Sequence, residues 1–430
     1  MYPPLYYNTH LRHRMLTKNK SNIMTPINNN FDYSSSKGKW DKWGTHGYSV
    51  MPHVSPESKR IAETYQLRPT DVVVLSFPKT GTTWTQTVCE MLRTNAEGYD
   101  GFNDIAERQP WLEFAYDCGQ DLDCYDDDHI QSSPRIFKSH QLLSAINPGA
   151  KYLCIVRDPD ATLLSWFAFQ KAKGRPGYAE YNDANEFIAN RPELFGGQCC
   201  FGTNIWEMYA EVWLARNDPS IKTLVYEALV ADGPNGYMDH LPIIADFLGL
   251  KNYSNIVEEN KNNEEETKQL YEKVAFLVSR EQMVQHVDRF DDHFITEMGS
   301  KYGRALRIME PAAKVRRKSQ TSQRAELNET TIEWLEDQWF ERMTPVTGHA
   351  TYDEFATELS ELLFTDVDVI EDILEEEKDE KGSKESIGVH VLGEQKQSKK
   401  SSIVMQRQSS ISVRQMPEIR RRRESLAPHE

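Results

Sequence analysis

The sequence predicts an α/β fold: a single three-layer domain with a central parallel sheet flanked by helices. Three segments carry that expectation, Val72-Val73-Val74-Leu75, Tyr152-Leu153-Cys154-Ile155-Val156 and Lys222-Thr223-Leu224-Val225-Tyr226-Glu227. Short apolar runs rich in β-branched residues suit strands covered on both faces, as parallel strands are. The first two are followed by helix signals, and at 430 residues, 39% of them hydrophobic, the chain can bury one substantial core plus extensions.

The elements follow in order. Residues 1–45 are an Asn/Tyr/Ser-rich leader expected to be loosely ordered, and the domain spans 46–364. After Val72–Leu75, Pro78 and Gly81 break the strand, and Thr82–Arg93 reads as a helix burying Trp84, Val88, Met91 and Leu92. Residues 97–133 form an insertion holding Trp111, Phe114, Tyr116, Asp121, Asp123 and Asp126-Asp127-Asp128; its aromatics line a pocket or bury against the domain. The aspartates lack the alternating oxygen ligands and central glycine of a calcium loop. Arg135–Lys138 reads as a strand ending at Ser139-His140.

At the end of Tyr152–Val156 stands Arg157, and Asp158-Pro159 opens a helix there. The carboxyl edge of a parallel sheet is where ligands bind in such folds. Residues 171–200, with Gly174, Pro176, Gly177 and Gly196-Gly197, read as a lid or pocket wall. Asn328 is an N-cap for a helix carrying Ile332, Leu335, Trp339 and Met343 at helical spacing, and Tyr352–Phe364 is a final helix with Phe355, Leu359, Leu362 and Leu363 on one face. Residues 365–430, acidic and then basic and without Phe, Trp or Tyr, read as a mostly disordered tail. Arg407-Gln408-Ser409-Ser410 and Arg421-Arg422-Arg423-Glu424-Ser425 resemble sites for basophilic kinases, so kinase regulation of the tail is one reading; an unregulated solubilising tail is the other.

Composition narrows the partners. Fifty Lys and Arg against 66 Asp and Glu give a formal charge of -16, which argues against nucleic acid. Six cysteines without a Cys-x-x-Cys pair point to reduced thiols, with no disulfide framework and no metal site. No apolar run is long enough for a membrane span, so no stable membrane anchor is expected and a cytoplasmic location is. Residues 1–31, basic and without Asp or Glu, leave an organellar transit peptide as the alternative.

Chemistry concentrates in Phe77-Pro78-Lys79-Thr80-Gly81-Thr82-Thr83-Trp84. A strand-to-helix loop aims backbone N–H groups and the positive end of a helix dipole at its guest, which is therefore an anion. Lys79 adds a charge and the threonines add donors. A nucleoside triphosphatase loop needs Gly-Lys-Ser/Thr, whereas here the lysine precedes the glycine.

These residues resemble the cytosolic-type sulfotransferase family, whose P-loop-like phosphosulfate-binding loop takes the donor 3′-phosphoadenosine 5′-phosphosulfate (PAPS). Further matches run in the family's order from about Val72 to Phe364. Lys138-Ser139-His140 resembles the segment holding the catalytic base and an assisting lysine. Arg157 and Ser165 match the 3′-phosphate motif, Tyr226 a nucleotide contact, and Ser279 a serine near the adenine. Arg316-Arg317-Lys318 stands where the family has Arg-Lys-Gly, and a lysine in place of glycine cannot freely adopt φ > 0. The resemblance thus implies His140, Lys79 and Lys138 as catalytic residues. It implies Lys79, Thr80, Gly81, Thr82, Thr83, Trp84, Arg157, Ser165, Tyr226, Ser279, Arg316 and Arg317 as the PAPS site. Trp84 either stacks on the adenine or buries between helix and sheet.

The expected reaction moves a sulfuryl group to a hydroxyl or amine of a small, hydrophobic acceptor without a metal, His140 taking the acceptor's proton. The alternative is an inactive sulfotransferase-like protein that holds a nucleotide or lipid, its tail recruiting partners. A P-loop kinase would need a metal-binding acidic strand end and Gly-Lys-Ser/Thr, and has neither. Dimerisation stays open: Arg324 and Glu333 keep the outer spacing of the family's dimer motif, while Asn328-Glu329 replaces its central Thr-Val.

Overall fold

The computed structural model describes residues 54–123, 134–175, 177–196, 203–231, 236–250, 261–304, 314–315 and 326–364. The leader, the tail, Asp126–Asp128 and Arg316-Arg317-Lys318 lie outside the described residues.

Four parallel strands form one sheet in the order β2-β1-β3-β4, with β1 Val72–Ser76, β2 Ile136–Ser139, β3 Lys151–Val156 and β4 Ile221–Val225. Because side chains alternate along a strand, each strand contributes to two cores. Val73, Leu75, Phe137, Tyr152, Cys154 and Val156 face one cluster with Trp166, Trp206, Tyr209, Leu335, Trp339 and Phe355. Val72, Val74, Ile136, Leu153 and Ile155 face the other, with Val88, Met91, Leu241, Ile244 and Val274. The helices Pro159–Ala172, Ile205–Ala215 and Glu329–Arg342 thus cover one face, and Thr82–Arg93, Tyr237–Leu248 and Lys261–Leu277 the other. That is the expected three-layer arrangement.

The expected helix Thr82–Arg93 forms with those bounds, ten of its twelve residues buried. Asn328 caps Glu329–Arg342 by accepting from Thr331 N at 2.9 Å, and Leu335, Trp339 and Met343 are buried. Phe355, Leu359 and Leu363 are buried in the last helix, with Leu362 half-buried.

β2 runs Ile136–Ser139 where Arg135–Lys138 is expected, and a larger difference lies at β4. The strand read through Tyr226-Glu227 stops at Val225, and Tyr226–Leu229 is a helical turn. Glu227 accepts from Asp158 N at 3.0 Å and from Tyr352 Oη at 2.7 Å, bonds that hold the two residues off the strand line and tie the ends of β3 and β4 to the last helix.

At the sheet's opposite edge Arg135 and Asp71, both fully buried, make a two-pronged pair with Nε–Oδ1 at 2.8 Å. Tyr65 Oη and the Leu122 carbonyl accept from Arg135 Nη1 at 2.7 and 2.6 Å, so the guanidinium is compensated on three sides.

Candidate functional site

The site grows from the loop after β1. Phe77 is buried beneath it, and the Phe77 carbonyl accepts from both Thr80 N and Thr80 Oγ1, at 3.3 and 2.7 Å. Thr82 Oγ1 pairs with Ser76 Oγ. The Thr80 and Thr82 hydroxyls therefore brace the turn. The first N–H groups of the helix starting at Thr82 have no intrahelical acceptor, which leaves backbone donors facing the loop's concavity.

Two residues of the loop take left-handed backbone angles, Lys79 at φ 75° and Gly81 at φ 121°. Gly81 is required: a Cβ there would stand 2.6 Å from Tyr226 Cδ2. Lys79 lays its ammonium over the Phe169 ring, 4.2 Å from its centroid.

Arg157 leaves the end of β3 and crosses to this loop, its Nη1 donating to the Lys79 carbonyl at 3.0 Å and its guanidinium stacking 4.4 Å from the Tyr226 ring centre. Tyr209 fixes its backbone, accepting from Arg157 N at 2.9 Å and donating to its carbonyl at 2.5 Å. Asp158 caps the next helix by accepting from Asp160 N at 2.7 Å, and Ser165 is buried two turns along it.

On the other side of β1, His140 follows the end of β2. Its Nδ1 contacts the Ser76 carbonyl at 2.7 Å. A carbonyl only accepts, so Nδ1 carries the proton and Nε2 keeps the lone pair. Burial and the neighbouring Lys138 charge hold the imidazole well below its ordinary 6.5, so it is neutral at pH 7. Lys138, also buried, places its ammonium 3.7 Å from the centre of the Trp111 ring, and burial brings it down to about 7. Trp111 reaches both groups because Pro110–Leu112 lies along the outer edge of β2: Lys138 N donates to Pro110 O at 2.9 Å and Leu112 N to Lys138 O at 3.0 Å. His140 meets the same indole edge-on at 5.2 Å. Ser139 Oγ bonds the buried Glu113 carboxylate, locking the residue between them.

Of the expected residues, Lys79–Thr83, Arg157 and Tyr226 converge on one loop, and Lys138 and His140 meet at Trp111 beside it. Trp84 is half-buried and donates from Nε1 to the Val278 carbonyl at 3.0 Å. Ser279 caps the helix Arg280–Gln285, accepting from Gln282 N at 3.3 Å. The insertion's Trp111 and Phe114 bury against the domain. Asp292, Lys314, Tyr209 and Glu227 were not singled out from sequence. Asp292 stands in the ionisable group Asp291-Asp292-His293 between Phe290 and Phe294, a weak signal, and Lys314 stands in no pattern.

Parallel strands thus deliver a glycine-bearing strand-to-helix loop, an arginine and a neutral histidine to one sheet edge of an α/β architecture. The Sulfotransferase domain profile matches residues 69–305, more than half of the chain, and the chain belongs to that family. It is 28% identical over 229 residues to Cytosolic sulfotransferase 16 of Arabidopsis thaliana, covering 50% of this chain and 61% of that protein. It is 26% identical over 186 residues to Sulfotransferase 2B1 of Mus musculus, covering 41% and 51%. The chain therefore spans about half to three fifths of the length of these curated relatives. Among solved structures it is similar to mouse sulfotransferase SULT7A1 complexed with PAP, with TM-score 0.47, 17% identity and coverage of 73% and 96%. It is also similar to retinol dehydratase in complex with androsterone and the inactive cofactor PAP, with TM-score 0.45, 18% identity and coverage of 66% and 84%. Among the described residues no helix is long and apolar enough to cross a membrane.

Proposed function

We propose that this protein transfers the sulfuryl group of PAPS to a hydroxyl or amine of a small, largely hydrophobic acceptor. The observation that carries the reading is the meeting of Lys79, Gly81 and Arg157 in one cradle, with the neutral His140 anchored to the carbonyl of Ser76 at its rim. The cradle fits the donor: Gly81 lets the Tyr226 ring, which braces Arg157, close against the loop where a Cβ would clash, and the start of the helix supplies amides without intrahelical acceptors. PAPS, when bound, supplies a sulfuryl group on a phosphate leaving group.

The chain's residues divide the rest of the work. Lys79 and the amides of Gly81–Trp84 hold the 5′ end and offset the negative charge that builds on its phosphate. Arg157 and Ser165 hold the 3′-phosphate, and Tyr226 braces the arginine. Lys138 approaches the transferring group from the β2 side. His140 accepts the acceptor's proton at Nε2, a role worth about 10²–10⁴-fold. The buried Trp111, Phe114 and Ile295 cluster beside His140 offers an apolar wall. Relatives named Amine sulfotransferase (Oryctolagus cuniculus) and the retinol dehydratase complex with androsterone match the acceptor chemistry proposed here. A cytoplasmic location, no stable membrane anchor and a metal-independent reaction belong to the same proposal.

Calorimetric titration of the full chain with 3′-phosphoadenosine 5′-phosphate (PAP), without magnesium, tests it. Micromolar binding abolished by Arg157→Ala is expected, and an Arg316→Ala/Arg317→Ala double variant reads the contribution of that basic segment. Folded protein that does not bind the nucleotide sinks the enzymatic reading.

A further inference from the structure

His140 is bracketed by two residues that share one hydroxyl. Ser139 Oγ donates to Glu113 Oε1 and accepts from Gln141 N at 3.0 Å, so the chain on both sides of His140 is tied to a single carboxylate. A serine hydroxyl carries one proton and rotates to suit its partners. Giving that proton to Glu113 turns the oxygen's lone pairs toward the Gln141 amide. Glu113, Ser139 and Gln141 are buried, where a donor deprived of its acceptor has no water to replace it.

Glu113 is itself anchored from two directions. Leu112 N donates to the Lys138 carbonyl at 3.0 Å and Lys138 N to the Pro110 carbonyl at 2.9 Å, which lays the segment along β2. From the other side, Ser58 in the helix Pro56–Thr64 donates from Oγ to the Glu113 carbonyl at 2.9 Å. Ser55, the N-cap of that helix, donates from N and Oγ to the Asp117 carboxylate at 2.8 and 2.5 Å. The Glu113 carboxylate is therefore a fixed point of the frame. His140 leans on this frame through the Ser139–Gln141 segment, through Nδ1 on the Ser76 carbonyl at 2.7 Å, and through the edge of Trp111, two residues before Glu113.

We propose that Glu113 is a positioning residue for His140: acting through Ser139 Oγ, it holds the Ser139–Gln141 segment so that Nδ1 stays on the Ser76 carbonyl and Nε2 faces the acceptor. The catalytic consequence rests on the sulfotransferase reading. Glu113 also favours the charged form of Lys138, so the test must separate its acceptor oxygen from its charge. Glutamine keeps the first and lacks the second.

Imidazole ¹H–¹⁵N NMR of the full chain at pH 8, where the ring is neutral, reads the bond to Ser76, with the His140 signals assigned by their loss in His140→Gln. Wild type should show one tautomer, its proton on Nδ1. In Ser139→Ala and in Glu113→Ala, His140 is expected to populate both tautomers. In both, kcat should fall about 10–10²-fold, as for a reacting group displaced by about 1 Å, while KM for PAPS and PAP affinity change less than about twofold. The double variant should be no slower than the slower single, because both changes remove one interaction. Glu113→Gln should recover the single tautomer and most of the lost kcat. If Glu113→Ala does not fold, Ser139→Ala and Glu113→Gln decide. An unmoved tautomer, an unmoved kcat or a loss carried by KM in Ser139→Ala overturns the proposal. So does a Glu113→Gln protein as slow as Ser139→Ala, which would assign Glu113 to the charge of Lys138 instead. Failure of the wild-type chain to bind PAP, with the NMR outcome as stated, refutes the sulfotransferase reading and leaves the hold of Glu113 on His140 standing.

Discussion

Replacing Gly81 with alanine separates a cradle built for an anion from an ordinary strand-to-helix turn. At φ 121° and ψ 7° the backbone of residue 81 lies where an L side chain is strained, at about 1–3 kcal/mol. The added Cβ would stand 2.6 and 3.2 Å from Tyr226 Cδ2 and Cε2, and 3.6 Å from Ile155 Cγ2. The 2.6 Å contact cannot persist, so the ring must move, and overpacking of this kind costs a further ~1–3 kcal/mol. The ring in turn stacks on the Arg157 guanidinium, so its displacement loosens the arginine that reaches the Lys79 carbonyl. Together the terms predict a stability loss of about 2–6 kcal/mol and, for a domain of about 300 residues, a melting temperature lower by roughly 3–9 °C. Calorimetry should show PAP affinity reduced at least about tenfold, the equivalent of 1.4 kcal/mol lost by the cradle. The double variant Gly81→Ala/Tyr226→Ala removes the clash and keeps the strain, so the glycine substitution should cost less in that background than in wild type. A Gly81→Ala protein with wild-type melting and PAP affinity would refute the account of the loop.

Two further outcomes test the chemistry and the frame. His140→Gln should lower kcat about 10²–10⁴-fold with PAP affinity intact; and because burial holds His140 well below 6.5, wild-type kcat should lose no activity to histidine protonation as pH falls from 8 to 6.5, its acid limb lying lower. An acid limb centred above 6.5 would remove His140 as the base. Asp71→Asn removes the two-pronged partner of a fully buried guanidinium and should cost about 3–5 kcal/mol in urea unfolding, with little change in PAP affinity of the folded fraction; a loss below about 1 kcal/mol would mean that Tyr65, Leu122 and the Asp123 carboxylate, 3.5 Å from Nη1, carry Arg135 without it.

What could be read from sequence and what could not divides along contact distance. Val72–Arg93 was legible because the information is local: four apolar residues, a Pro/Gly break, then helical spacing with Trp84, Val88, Met91 and Leu92. The position of Arg157 was legible because an apolar run that ends in a charge and is followed by Asp-Pro marks a strand end and a helix start. Tyr226 was placed at the right edge but in the wrong conformation, since the bonds that stop β4 there come from Asp158 and Tyr352, far off in the chain. Trp84 offered two readings, and its indole N–H is anchored to Val278, a tertiary partner no local pattern announces. The Asp292–Lys314 pair is the extreme case. Neither residue belongs to a motif, and the two meet only through the tertiary fold.

The backbone of the loop also serves as the ruler for the whole site. β1 lies between β2 and β3, in register Leu75↔Ser139 and Leu75↔Cys154, so the histidine strand and the arginine strand end on opposite sides of one loop. Backbone carbonyls next to the loop position both groups: that of Ser76 fixes the tautomer of His140, and that of Lys79 receives Arg157. The proposed base and the proposed phosphate-binding arginine are thereby referenced to the same few peptide units whose amides are proposed to hold the 5′ phosphosulfate. A slip of one residue in either strand pairing would turn Lys138 or Arg157 to the opposite face, among Val73, Leu75 and Cys154, so the register that builds the two cores is also the register that assembles the chemistry.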